Sequence, residues 1–112
     1  MEIAEIVTGF VTVVSLKGRV DSIHAPVIQE YVLRLIWSGK KHLILDFEGV
    51  TFLASAGLRM LLNVAKQIKP LHGRIILSRL PPAVQKILEL AGFLPFFEVC
   101  GSLEDAADAM LA

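Results

Sequence analysis

Ser55 is the residue of this chain best placed to do chemistry. It lies between Ala54 and Ala56, just ahead of Gly57, and from Leu58 onward apolar residues recur at helical spacing: Leu58, Leu61, Leu62, Ala65 and Ile68. A hydroxyl at a helix start can cap the helix, and a phosphate added there would sit where backbone N–H groups and the helix dipole favour negative charge. Residue type alone leaves both uses open. Hydrolysis is a third reading. A serine nucleophile needs a base, an oriented acid and, on a strand–turn–helix elbow, the pattern G-x-S-x-G. The sequence here is Leu53-Ala54-Ser55-Ala56-Gly57, without the first glycine, and no sequence feature ties His24, His42 or His72 to Ser55. Gly39-Lys40-Lys41 lacks the glycine-rich loop that would cradle a phosphate. No histidines and acids fall at metal-ligand spacing, so no cofactor is expected. Catalysis is poorly supported, and a binding role is expected instead of an enzyme.

The bulk properties narrow the classes further. With 112 residues, 54% of them hydrophobic, the chain can bury the core of one domain, expected to span residues 1–112. Eleven basic and eleven acidic side chains cancel, which argues against nucleic-acid binding, since that normally needs a basic face. No apolar run approaches the roughly 18 residues needed to cross a bilayer, so no membrane insertion is expected. Met1-Glu2-Ile3-Ala4-Glu5 carries acid where a secretion signal would carry lysine or arginine, which points to the cytoplasm. The single cysteine, Cys100, excludes an internal disulfide, and in the apolar run Phe96–Cys100 it reads as an inert core thiol.

The elements that must position Ser55 follow from changes of period. Ile3–Thr8 and Val11–Lys17 read as a hairpin about Gly9, and Gly18–His24 as a loop or a short strand ending in one. Ile28, Tyr31, Val32, Leu35 and Ile36 share a helical face from Ala25 on, with Pro26 in the first turn and Ser38-Gly39-Lys40-Lys41 at the end. His42–Phe47 reads as a strand buried on both faces. The Ser55 helix then runs to about Pro70, Arg74–Ser78 is a strand, and Pro81-Pro82 opens a helix closed by Gly92. Phe96–Cys100 makes a last strand, and Ser102-Leu103-Glu104-Asp105 opens a last helix with a capping pattern. Alternation of this kind predicts a small α/β domain with an opening hairpin, a mainly parallel sheet, right-handed crossovers and about four helices. Sites in such sheets lie at the carboxyl ends of the strands. One such loop holds Arg19, Asp21, Ser22 and His24, and the one after His42–Phe47 holds Asp46, Glu48, Thr51 and Ser55. If the two strands are neighbours, Asp21 and Ser55 share one surface.

The same residues resemble a family. Leu45-Asp46-Phe47-Glu48-Gly49-Val50-Thr51-Phe52-Leu53-Ala54-Ser55-Ala56-Gly57-Leu58 is similar to the signature of STAS domains, the bacterial anti-sigma-factor antagonists. Gly18-Arg19-Val20-Asp21 resembles their upstream Gly-Glu-Leu/Ile-Asp element, and Ser78 to Phe93 resembles their late helix. The resemblance implies a STAS-type fold. It also implies a partner, an anti-sigma factor that is itself a GHKL-type serine kinase, and a PP2C-type phosphatase that reverses its action. The phosphorylated serine falls on Ser55. The implied partner surface comprises Asp21, Ser22 and Ile23 in one loop and Ala54, Ser55, Ala56, Gly57, Leu58 and Arg59 in the other. The family usually carries Asp directly before its serine where this chain has Ala54, which makes the surface more apolar. A STAS adaptor that binds without phosphorylation is the alternative that Ala54 favours.

Overall fold

The computed structural model describes residues 1–112. Strands β1 (Glu2–Thr8) and β2 (Val11–Val20) form the hairpin, and α1 (Ala25–Trp37) leads to β3 (His42–Leu53). Helix α2 (Ser55–Ile68) and a 3-10 turn (Lys69–Leu71) lead to β4 (Arg74–Ser78). Helix α3 (Pro82–Leu90) and a second 3-10 turn (Leu94–Phe96) precede β5 (Glu98–Cys100) and α4 (Leu103–Leu111). The sheet order is β1-β2-β3-β4-β5, with β1 antiparallel to β2 and the other pairs parallel. The expected α/β order, opening hairpin and four helices are present.

Strand alternation divides the sheet into two faces. Val14, Leu16, Leu43, Leu45, Phe47 and Leu77 point toward α1, α2 and α3 and join Ile28, Val32, Leu61, Val64 and Leu88 in the main core. Val11, Ile44 and Ile76 point the other way, under Ala106 and Met110 of α4. Ser102 caps α4 as its pattern predicts, its hydroxyl accepting from the Asp105 N–H at 3.0 Å. The hydroxyl of Tyr31 on α1 donates to Glu5 on β1, tying the first helix to the edge strand.

Two strands run further than their sequence patterns suggest. β2 continues through Val20 and β3 through Leu53, so Glu48 and Thr51 lie on a strand and not in a loop. The cause is two irregularities in the β2–β3 ladder. Ser15 pairs with Asp46 but Lys17 with Gly49, and Gly18 pairs with Val50 but Arg19 with Phe52. Each adds one residue to β3, which breaks its apolar–polar alternation while keeping the pairing. Gly49 permits the close approach, since a Cβ there would lie 3.0 Å from the Leu16 carbonyl oxygen and 3.1 Å from the Lys17 Cα.

Candidate functional site

The upper ends of β2 and β3 bring the two predicted loops together. Val20 pairs with Leu53, and the Ala54 N–H donates to the Val20 carbonyl at 2.9 Å. Asp21 and Ser55 are therefore each one residue beyond a directly bonded pair. On the flank between α1 and α2, Ser22 and Pro26 face Ala56 and Arg59 across a shallow groove of about 280 Å³.

The structure corrects the capping role of Ser55. Ala54 is the N-cap, with extended backbone (φ −87°, ψ 170°), and its carbonyl accepts from the Gly57 and Leu58 N–H groups. Ser55 is the first helical residue, exposed, and the helix start has no side-chain cap. β3 runs straight into α2 through one residue, so the strand's last extended position falls on Ala54 and the capping position with it. Replacing Ala54 by Asp should supply the missing acceptor and raise stability by about 1 kcal/mol, read as a rise in the urea midpoint. An unchanged midpoint would show that a carboxylate at this position does not reach the first-turn N–H groups.

Gly57 seats the helix. It is buried, and a Cβ there would lie 2.5 Å from Leu53 Cδ1 and 2.8 Å from Val20 Cγ1. The missing side chain lets α2 start hard against the β2–β3 ends. Leu58 and Ala56 are half-buried and pack against the main core. The exposed residues among those the sequence singled out here are Ser55, Arg59, Ser22 and Ile23, the last 75% exposed.

Asp21 is held by its own turn. Its Oδ1 accepts the backbone N–H of His24 at 2.9 Å and of Ile23 at 3.1 Å, and the His24 Nδ1 lies 2.8 Å away. The His24 N–H chiefly, helped by the His24 ring and the Ile23 N–H, holds the carboxyl below the usual aspartate range against the upward push of partial desolvation. An acid so engaged shapes the loop ahead of α1. His24 is spent on Asp21, and no hydrogen bond joins a histidine to Ser55. His42 stacks edge-on against Phe10, with centroids 5.2 Å apart, and His72 occupies a left-handed turn after the 3-10 turn. Both belong to the other end of the sheet, which leaves the hydrolase reading without a base bonded to the serine.

Arg19 and Phe52 both lie within the motifs, but their spacing did not show that they pair. The Arg19 guanidinium lies 4.3 Å from the centroid of the Phe52 ring, a cation–π stack one ladder pair before Val20–Leu53. Arg19 and Phe52 are paired across the β2–β3 ladder, so only the shifted register reveals them as neighbours. Asp46 moves out of the site. It is buried on the α4 side of the sheet, where Arg79 binds it.

Comparison with known proteins bears on the family and the fold. The sequence model of the STAS domain matches residues 3–106. A Bordetella bronchiseptica protein named as an anti-sigma factor antagonist, BtrV, is 36% identical over 94 residues, 84% of this chain and 81% of that protein. A crystal structure of a Thermotoga maritima protein, titled as an anti-sigma factor antagonist, superposes with a TM-score of 0.93 at 15% identity, covering 98% of this chain and 95% of that one. The Bacillus cell fate determinant SpoIIAA, in its phosphorylated form, superposes with a TM-score of 0.74 at 24% identity, covering 96% of this chain and 98% of that one. By sequence match over nearly its whole length, and by the fold that match implies, the chain belongs to the STAS domain family.

Proposed function

We propose that this protein is an anti-sigma-factor antagonist, a regulatory binding protein that engages an anti-sigma factor with GHKL-type serine kinase activity and so frees the sigma factor. In this reading phosphorylation of Ser55 ends the interaction, and a PP2C-type phosphatase restores it, all in the cytoplasm. The observation that carries the reading is the exposed Ser55 at the first position of α2, one residue beyond the Ala54–Val20 hydrogen bond that leads into the Asp21 loop with its exposed Ile23. The name of BtrV and the phosphorylated form of SpoIIAA support it. A phosphate brings roughly −1.5 to −2 charges at neutral pH. At the start of α2 the dipole tolerates that charge, so the fold survives. Against a partner the same group is strongly hydrated and resists burial.

The test is phosphotransfer from ATP by a GHKL-type serine kinase of the same organism, followed by intact-mass spectrometry and peptide mapping. One phosphate is expected, on Ser55, and the modified protein should no longer co-elute with the kinase. Binding without transfer would instead support a constitutive STAS adaptor, the reading favoured by Ala54 at the helix cap, where the family usually carries Asp.

A further inference from the structure

We infer that the end of the molecule opposite Ser55 is a peripheral docking surface for an anionic lipid bilayer. Helices α1 and α2 run antiparallel to the strands they connect, so their C-termini gather at the lower edge of the sheet. The hairpin turn at Gly9-Phe10, the 3-10 turn Lys69–Leu71 and the turn Leu94–Phe96 lie at the same edge. Contacts tie this pole together: the Lys41 ammonium donates to the Leu71 carbonyl at 2.7 Å, and the Arg74 N–H donates to the Lys41 carbonyl at 2.8 Å. Lys66, Lys69 and Phe96 line one mainly apolar recess of about 360 Å³.

Charge is segregated here although the chain is neutral overall. Four of its six lysines, Lys40, Lys41, Lys66 and Lys69, lie at this pole, and no Asp or Glu occurs anywhere from Gly49 to Leu88. Two acids at this edge are engaged, Glu5 by Tyr31 and Lys40 and Glu98 by Arg74; the unpaired ones, Glu104 in the recess with Phe10 and Asp108 on the exposed side of α4, belong to the other face of the sheet from the α2 lysines. Lys66 and Lys69 take part in no ion pair. Lysine near a helix C-terminus also complements the dipole, but the dipole has no use for the apolar side chains that crowd the same edge. Phe10, Trp37, Leu71 and Phe96 are all exposed there, Trp37 by 67% and Phe96 by 69%. Trp37 follows Gln29 and Leu33 at i,i+4 steps, and Gln29 accepts from Asn63 of α2, which sets the indole on the flank of α1 facing α2.

Lysines surrounding exposed aromatic and leucine side chains match a headgroup layer in both respects: anionic charge outside and apolar depth beneath. Leucines neither stack on bases nor bind phosphate, so the composition favours lipid over nucleic acid. Docked this way, the protein would turn Ser55 and the Asp21 loop away from the membrane, open to a partner.

Trp37 is the only tryptophan, so its fluorescence reports this pole directly. The intact protein is titrated with vesicles of phosphatidylcholine alone or mixed equally with phosphatidylglycerol. A blue shift is expected with the mixture only, abolished by molar salt. At roughly fivefold per lysine, Lys66→Gln with Lys69→Gln should weaken partitioning about thirtyfold. Lys17→Gln with Lys86→Gln, which removes the same charge away from this edge, should leave it nearly unchanged; circular dichroism checks that each variant is folded. Four results would overturn the inference: no shift with the anionic vesicles, equal weakening by both double variants, a single-stranded oligonucleotide competing the protein off the vesicles, or sedimentation showing a dimer that shields Trp37 from quenchers.

Discussion

Arg79→Met is expected to destabilise the fold by about 3 kcal/mol, lowering the melting temperature by roughly 10–20 °C. Asp46 is 4% exposed, and its carboxylate is held from three sides. Arg79 Nη2 and Nε donate to it at 2.6 and 3.0 Å, the Ser15 hydroxyl at 3.2 Å, and the Glu48 N–H at 3.2 Å. Removing the guanidinium strands a charge inside the sheet, which costs more than the pair contributes. Because Arg79 is one-third exposed and its Nη1 reaches the exposed Glu48, the lower end of the range for a broken buried pair applies. Methionine keeps the length of the stem and the left-handed backbone (φ 53°), so the change isolates the charge. If the loss is electrostatic, Asp46→Leu in the Arg79→Met background should recover much of it; no recovery would place the effect in the backbone at 79.

The same pair sets the response to acid. Burial pushes the Asp46 carboxyl up, but hydrogen bonds from Arg79, the Glu48 N–H and Ser15, together with the Arg79 charge, outweigh it and leave the group below the usual aspartate range. A depressed native pKa adds stability above the unfolded value of about 3.9, and that stability is lost as pH falls through the native value. In Arg79→Met the balance reverses. Burial then dominates, the native pKa rises above the unfolded one, and this group's penalty shrinks as pH falls through the raised native value toward the unfolded one. The gap between wild type and variant should narrow on acidification, as seen in urea midpoints from neutral pH down to about 4. A gap constant with pH would mean that Asp46 is not the group left uncompensated.

The Asp46–Arg79 pair also marks where sequence reading stops. The two residues are 33 positions apart, and no periodicity links them. What brings them together is the parallel register Asp46↔Ser78, followed at once by a left-handed residue. By contrast, α1 was legible because Pro26 and Gly39 bracket one unbroken apolar stripe, and β4 because five residues alternate cleanly between two covered faces. The upper half of β3 was not legible, since Glu48, Gly49 and Thr51 carry turn-like composition while the ladder to β2 absorbs the extra residues. The neighbourhood of Asp21 and Ser55 was conditional on β2 and β3 being adjacent, which the topology satisfies. The cap was misplaced by one position because a strand entering a helix directly leaves no turn residue to mark the boundary.

That one-residue shift makes the role of Ser55 separable by mutation. Under the proposed function, Ser55→Glu should weaken binding to the proposed anti-sigma-factor partner about a hundredfold, or ~2.7 kcal/mol, by calorimetric titration, because it would force an uncompensated charge into a desolvated contact. Its effect on folding should have the opposite sign: a carboxylate in the first turn of α2 meets the positive end of the dipole and adds about 0.3–1 kcal/mol. Ser55→Ala should leave both quantities nearly unchanged, since Ala54 and not Ser55 occupies the cap. A capping serine would instead lose about 1 kcal/mol of stability in the alanine variant. The pattern of weaker binding with unimpaired stability in glutamate, and neither effect in alanine, belongs to a switch that acts on the surface alone. A constitutive adaptor would bind all three proteins within a factor of about three, a spread of only ~0.7 kcal/mol. A glutamate variant that lost stability as well as affinity would move the effect from the interface into the fold.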